Sequence, residues 1–428
     1  MSAVPRPQAR PSAGEPPGTE TRRAALSLID AVLRKGLPLE AAPYATRQLE
    51  RADDRAFALA IASEVLRRLP DLDALIDSAT QKNLPDDAKA RAVLRIALVQ
   101  ALRMGTPAHA AIATALPLVE SGPRRLVHGV FGALMRKGAT LPEVPALPMK
   151  VALRWDTAWG DEMRAAAERA MAEPPPLDLC FAPDNPPELE GISLMPGHLR
   201  LPRGQAVPGM TGFGEGGWWV QDVAASVPAR LLGSGEGRTA LDLCAAPGGK
   251  TMQLGAAGFR VVAVDSSEGR LERLRENLCR TRLEAEVIAA DIMSWSPEAP
   301  VDAILLDAPC SATGIFRRHP DVLHRVRPKA IAELAELQGE MLARAADWLK
   351  PGGSLVYSVC SIEPEEGEQV AQAFLAARKD FTVVPPTAGE TPPGQQPTSQ
   401  GWLRLLPPWL EDQGGADSFF IARFTRRG

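Results

Sequence analysis

The chain has 428 residues, 45% of them apolar, and a formal net charge of −4. That length allows two or three domains with full cores, and no apolar run reaches the about eighteen residues that a membrane-spanning helix needs. Five scattered cysteines, Cys180, Cys244, Cys279, Cys310 and Cys360, without CxxC spacing, argue against a disulfide framework and against a metal site, and fit a reducing cytoplasm.

Residues 1–20 are rich in Pro, Gly and charge with no apolar segment, and read as a disordered tail rather than a signal peptide. From 21 to about 140, apolar residues recur at helical spacing in AALSLIDAVL, FALAIASEVLRRL, LDALIDSAT, AVLRIALVQALRM and LVHGVFGALM. GLPLE, NLPDD and GTPAH mark the turns, so this part is an all-helical bundle. Residues 1–150 hold 21 Lys and Arg against 15 Asp and Glu, a balance of +6, whereas the remainder carries −10. The basic pairs Arg67/Arg68, Arg124/Arg125 and Arg136/Lys137 read equally as phosphate contacts or as solvated helix faces.

LPEVPALPM, with prolines at 142, 145 and 148, reads as a linker. Residues 150–235 then hold a helix (DEMRAAAERAM), short strands around LDLCFA and HLRLP, and a Gly-rich stretch, which together make a small α+β linking subdomain. Trp218 and Trp219 could stack on bases, but packing at a domain junction is the favoured reading.

Residues 236–428 alternate apolar strands with amphipathic helices, from TALDLC to SFFIARF. This is an α/β, Rossmann-like pattern: a mostly parallel sheet covered on both faces, with an antiparallel pair at one edge. A long insertion, PPTAGETPPGQQPTSQGW, separates those last strands. The first turn of this domain holds Cys244, Ala245, Ala246, Pro247, Gly248, Gly249 and Lys250, where glycines let backbone N–H groups approach a ligand. Asp265 ends the next strand, spaced about twenty residues from the glycines as a ribose-binding carboxylate would be. The turn is neither GxGxxG nor GxxxxGK[ST], so a nucleoside-containing cofactor is implied without being identified.

CAAPGGKT (244–251), DAPCSATG (307–314) followed by RRHPD, and YSVCSIEPEE (357–366), in this order, resemble the motifs of the Sun (Fmu) family of RNA cytosine-5 methyltransferases. The resemblance runs from about Val220 to the C-terminus, and Val220, Gln221, Asp222, Ala225 and Ser226 match the family's VQDxAS element. The helical segment is similar, in pattern, to the NusB-like RNA-binding domain of one bacterial branch that acts on small-subunit (16S) rRNA.

The resemblance implies S-adenosylmethionine as cofactor, with Cys244 to Lys250 around its methionine portion, Asp265 at the ribose, Asp291 at the adenine amino group and Asp307 near the methyl-bearing sulfur and the target base. It implies Cys360 as nucleophile, Cys310 as the cysteine that assists product release, and Lys250 steadying Asp307. Arg317 and Arg318 are expected at RNA phosphates. For Asp242 a helix N-cap is the favoured reading, and for the thiols of Cys180, Cys244 and Cys279 a small buried hydrophobe. Two positions depart from the family pattern. Val359 replaces a Thr before the nucleophile, leaving thiol positioning to the backbone and Ser361, and His324 stands where an aromatic contact to RNA is usual. The expected protein is a cytoplasmic monomer that acts on a single-stranded or flipped-out cytosine of RNA. A tRNA target, or a non-catalytic assembly factor that keeps the fold, are the rival readings.

Overall fold

The chain begins with a helical bundle: α1 (Thr19–Leu33), α2 (Ala52–Arg67), α3 (Leu69–Ser78), α4 (Lys89–Leu102), α5 (Ala108–Ala115) and α6 (Ser121–Arg136). The computed structural model describes residues 14–41, 43–182 and 184–428. Of the expected tail, residues 1–13 lie outside the described residues, and Thr19 and Glu20 already belong to α1. α4 is buried along most of its length, from Ala90 to Gln100, which makes it the helix around which the bundle packs. Its two buried arginines reach acids of α3: Arg91 pairs with Asp73 and Asp77, and Arg95 with Asp73. α5 was hidden in the sequence because the Pro107 turn before it reads as a loop and its own apolar content is mostly alanine.

The basic pairs separate by burial. Arg67 and Arg68 are buried, and Arg68 donates to the carbonyls of Pro142 and Glu143, so these two are unavailable to phosphate. Arg124, Arg125, Arg136 and Lys137 are exposed on α6 and at its end.

The chain divides into two compact units, one of residues up to Met149 together with His319–Arg325, the other of the remainder. The second unit opens with α7 (Met149–Trp159) and α8 (Asp161–Met171), then β1 (Leu177–Cys180), β2 (His198–Leu201) and β3 (Trp219–Val220), a small antiparallel sheet in the order β2-β1-β3. The sequence reading contains α8 but not α7, whose start is masked by the proline-rich segment before it. Residues 150–235 cluster with the following sheet in one unit.

After α9 (Val223–Arg230) the chain alternates β4 (Thr239–Leu243), α10 (Gly249–Ala256), β5 (Arg260–Asp265), α11 (Glu268–Thr281), β6 (Glu286–Ala289) and β7 (Val301–Asp307). There follow α12 (Val322–Arg325), which belongs to the first unit, α13 (Pro328–Asp347), β8 (Leu349–Val359), α14 (Glu368–Ala377), β9 (Phe381–Val383), β10 (Leu403–Leu405) and β11 (Phe419–Arg426). The large sheet runs β10-β11-β8-β7-β4-β5-β6, with β9 also paired to β11. β4 to β8 are parallel, and β9, β10 and β11 form the antiparallel edge. β4, most of β7 and β8 from Leu355 onward are buried on both faces, which is why these stretches read as largely apolar. The three residues of β10 are too few to show a period.

Within the first unit, Asp321 accepts from the Leu39 amide and from Arg325, and His324 bonds the Leu66 carbonyl at 2.7 Å. His324 is thus occupied with helix-end capping, and burial lowers its pKa first of all.

Candidate active site

The order of the large sheet reverses direction of growth at β4, with β5 and β6 added on one side and β7 and β8 on the other. A crevice at the carboxyl ends of strands forms at such a switch point. Leu243 of β4 pairs with Leu306 of β7, and Leu306 with Tyr357 of β8, so the three strand ends lie level.

The turn after β4 starts at Cys244, in a left-handed conformation (φ 62°), and reaches α10 through Gly248 (φ 103°). A side chain at Gly248 would be both strained and within 3.0 Å of Leu274. No side chain caps α10, so the amides of its first turn and the positive end of its dipole point outward. Asp265, buried at the end of β5, accepts from the amides of Ala246 (3.1 Å) and Ser267 (2.9 Å), which ties the turn to the neighbouring strand. Asp291 is exposed beyond β6 and accepts from the Met293 amide at 2.9 Å. The Cys244 thiol is partly buried, and burial pushes its pKa up.

Asp242 is not a helix N-cap. It lies inside β4, fully buried, and accepts a 2.6 Å hydrogen bond from the Thr251 hydroxyl of α10. Burial, against that hydrogen bond, raises its pKa to about 7. Its position one residue before the strand end directs it under α10 rather than to the helix terminus.

Lys250, in the first turn of α10, donates to Asp307 Oδ2 at 2.7 Å, and Ser358 donates to Asp307 Oδ1 at 2.7 Å. The parallel register of β7 and β8 sets Asp307 opposite Ser358, a residue that the sequence reading had no reason to single out. Burial works against the Lys250 ammonium, but the charge and hydrogen bond of Asp307 outweigh it and raise the pKa. Lys250 is also within electrostatic reach of Cys360.

Cys360 follows the last residue of β8, and its Sγ lies 3.5 Å from Sγ of Cys310, three residues past β7. Both are partly buried. The hydrogen bond to Cys360, then burial, push the Cys310 thiol well above its ordinary range. Gly314 closes the loop onto Cys360: its amide donates to the Cys360 carbonyl at 2.9 Å, and a Cβ there would lie 2.2 Å from the Ser418 carbonyl oxygen. Only glycine fits, a constraint the final G of DAPCSATG encodes.

Ser361 turns its hydroxyl to Glu366 at 2.5 Å, and Val359 is buried in the core. The segment after Cys360 is gripped from α7, where Arg154 and Trp155 both bond the buried Glu363 and Trp159 bonds the Ile362 carbonyl.

Arg317 is buried, whereas Arg318 keeps 27% of its side chain exposed. Arg317 is 2% exposed and donates to the Gly414 carbonyl. Arg318 pairs with Asp222 (3.0 Å) and Asp417 (3.5 Å), both buried acids. Two buried carboxylates need a cation, and these arginines are the ones beside them. Asp222 also accepts from the Ala224 amide and so caps α9, while Gln221 links Trp219 to Gln253. Trp218 and Trp219 are buried, as packing residues would be.

Comparison with known proteins agrees with both units. Residues 229–425 match the family described as 16S rRNA methyltransferase RsmB/F, and residues 19–136 match the NusB family. The chain is 34% identical to the ribosomal RNA small subunit methyltransferase B of Cronobacter sakazakii, over 95% of this chain and 98% of that protein. It is 35% identical to the protein of the same name from Klebsiella pneumoniae subsp. pneumoniae, over 95% and 98%. A solved methyltransferase homolog protein from Pyrococcus horikoshii shares the fold, with a TM-score of 0.54 at 24% identity over 69% of this chain and 98% of that one. With an identity above 30% across nearly the whole length of both chains, this protein belongs to the RsmB/F family of S-adenosylmethionine-dependent 16S rRNA methyltransferases.

Proposed function

We propose that the chain methylates C5 of a cytosine in 16S rRNA through a covalent bond from Cys360 to C6 of the base. The observation that carries this reading is the 3.5 Å approach of Cys310 and Cys360 beside the Lys250–Asp307 ion pair. Cytosine C5 is too weak a nucleophile to accept a methyl group unaided, and a thiolate adding to C6 makes it enamine-like.

The cofactor cradle fits S-adenosylmethionine on two features. The uncapped first turn of α10 suits a carboxylate, and Asp265 Oδ1, which accepts from the Ser267 amide, keeps a lone pair for a ribose hydroxyl. Cys244 to Lys250, Asp265, Asp291 and Asp307 are the residues that would hold it. When bound, S-adenosylmethionine supplies an electrophilic methyl group. Cys360 attacks C6, while the proton shared by the Lys250–Asp307 pair passes through Asp307, steadied by Ser358, to N3 and draws charge from the ring. After methylation Cys310 assists removal of the C5 proton, and the Cys360–C6 bond breaks. Because two faces of the base are needed, the target cytosine is unpaired or flipped out.

The exposed basic residues of α6 support RNA binding by the first unit. The enzyme is read as a cytoplasmic monomer. Among the described residues no helix is long and apolar enough to cross a membrane. Bisulfite sequencing of total RNA from cells with and without the gene tests the target: one 16S cytosine should lose its protection. Loss of protection in a tRNA instead would move the substrate, and no change at any cytosine would remove the C5 reading.

A further inference from the structure

Behind the two cysteines lies a buried carboxylate that the mechanism above does not use. Glu366 is 0% exposed and accepts from the Ser311 amide (2.7 Å), the Ser311 hydroxyl (2.5 Å), the Ser361 hydroxyl (2.5 Å) and Gln338 Nε2 (3.1 Å). Ser311 is the residue after Cys310, and Ser361 the residue after Cys360. One carboxylate therefore ties together the two loops that bring their sulfurs to 3.5 Å. Thr313 joins the same set through Ser361 (3.3 Å) and the Ile362 amide (3.1 Å). Four donors converging on two oxygens match an ionised carboxylate, which accepts and cannot donate.

We infer that Glu366 is a positioning residue that holds the Cys310 and Cys360 loops in register through Ser311 and Ser361, and that its negative charge beside Cys310 leaves Cys360 the more reactive sulfur of the pair. The groups facing the pair are divided in sign. Glu366 lies in electrostatic reach of Cys310, and Lys250, itself paired with Asp307, lies in reach of Cys360. Burial raises the Glu366 pKa, opposed by the hydrogen bonds from Ser311, Ser361 and Gln338. The Tyr357 hydroxyl bonds the Glu366 carbonyl and Gln338 Oε1, so the carboxylate is fixed from β8 and α13 as well as from both cysteine loops. The meaning of this division for catalysis rests on the covalent reading above, but its test does not.

The experiment is brief alkylation of the full-length protein with iodoacetamide, without RNA, followed by peptide mass spectrometry of Cys360 and Cys310. The thiolate sulfur bonds to carbon and iodide leaves, so labelling reports which sulfur is the more reactive nucleophile. The wild-type protein should label at Cys360 in preference to Cys310. Glu366→Gln keeps the volume and removes the charge, and should raise Cys310 labelling relative to Cys360 by at least about tenfold. S-adenosylmethionine affinity by calorimetry should stay within about twofold, because the cofactor cradle makes no contact with this carboxylate in its bonding. Should Glu366→Gln lose cofactor binding and thus its fold, Ser311→Ala replaces it, with a shift in the same direction of about threefold. Equal labelling in the wild-type protein, or an unchanged ratio in the folded variant, overturns the assignment. A shifted ratio in a protein that forms no RNA adduct would leave Glu366 as assigned and remove the covalent mechanism instead.

Discussion

Cys310 and Cys360, 50 residues apart in the chain, meet at 3.5 Å because β7 and β8 are adjacent parallel strands whose carboxyl ends are level. Two such sulfurs on one base give opposite failures when each is removed. Cys360→Ala loses the attacking sulfur and should form neither product nor covalent complex. Cys310→Ala should still add and transfer the methyl group but stall at release, so the methylated RNA stays bonded to Cys360. Denaturing gels with labelled RNA show the shifted band, and mass spectrometry locates the linkage. An adduct that accumulates in Cys360→Ala and runs through Cys310 would reverse the two roles.

Asp265 is buried, with its two oxygens tied to the amides of Ala246 and Ser267. Asp265→Ala should weaken S-adenosylmethionine binding by about 1–3 kcal/mol, through loss of a buried hydrogen bond and loosening of the turn. Calorimetry without RNA measures this directly, and an unchanged affinity would remove Asp265 from the cofactor site.

Arg124 and Arg125 are exposed on α6, unlike the buried Arg67 and Arg68. The double reversal Arg124→Glu/Arg125→Glu should lower RNA affinity and flatten its dependence on salt, by about one to two phosphates' worth of slope. Cofactor affinity should not change. An RNA affinity and slope equal to wild type would make α6 a solvated face with no part in binding.

Arg318 compensates Asp222 and Asp417, which are 7% and 4% exposed. Arg318→Ala leaves Asp222 and Asp417 with Arg317 as the cation beside them, and should cost about 1–3 kcal/mol of stability. Chemical denaturation of the protein without RNA is the relevant measurement. A stable Arg318→Ala protein with weakened RNA binding would return this residue to the phosphate contacts expected from sequence.

The linear order of apolar runs and turns was enough to define an α/β domain preceded by a helical bundle, because strand and helix periods are local properties of the chain. Motif spacing likewise singled out Cys244 to Lys250, Asp307, Cys310 and Cys360, since loops at strand ends carry their chemistry in short contiguous stretches. Tertiary structure alone decided what those stretches face. The register of β7 and β8 places Ser358 against Asp307, and the loops after them converge on Glu366. Arg317 and Arg318 look like phosphate ligands in one dimension, but folding brings Asp222 and Asp417 from distant segments to within reach of Arg318. Whether an arginine faces water or a buried acid depends on residues about a hundred positions away, and pairing over such separations leaves no local period or motif to read.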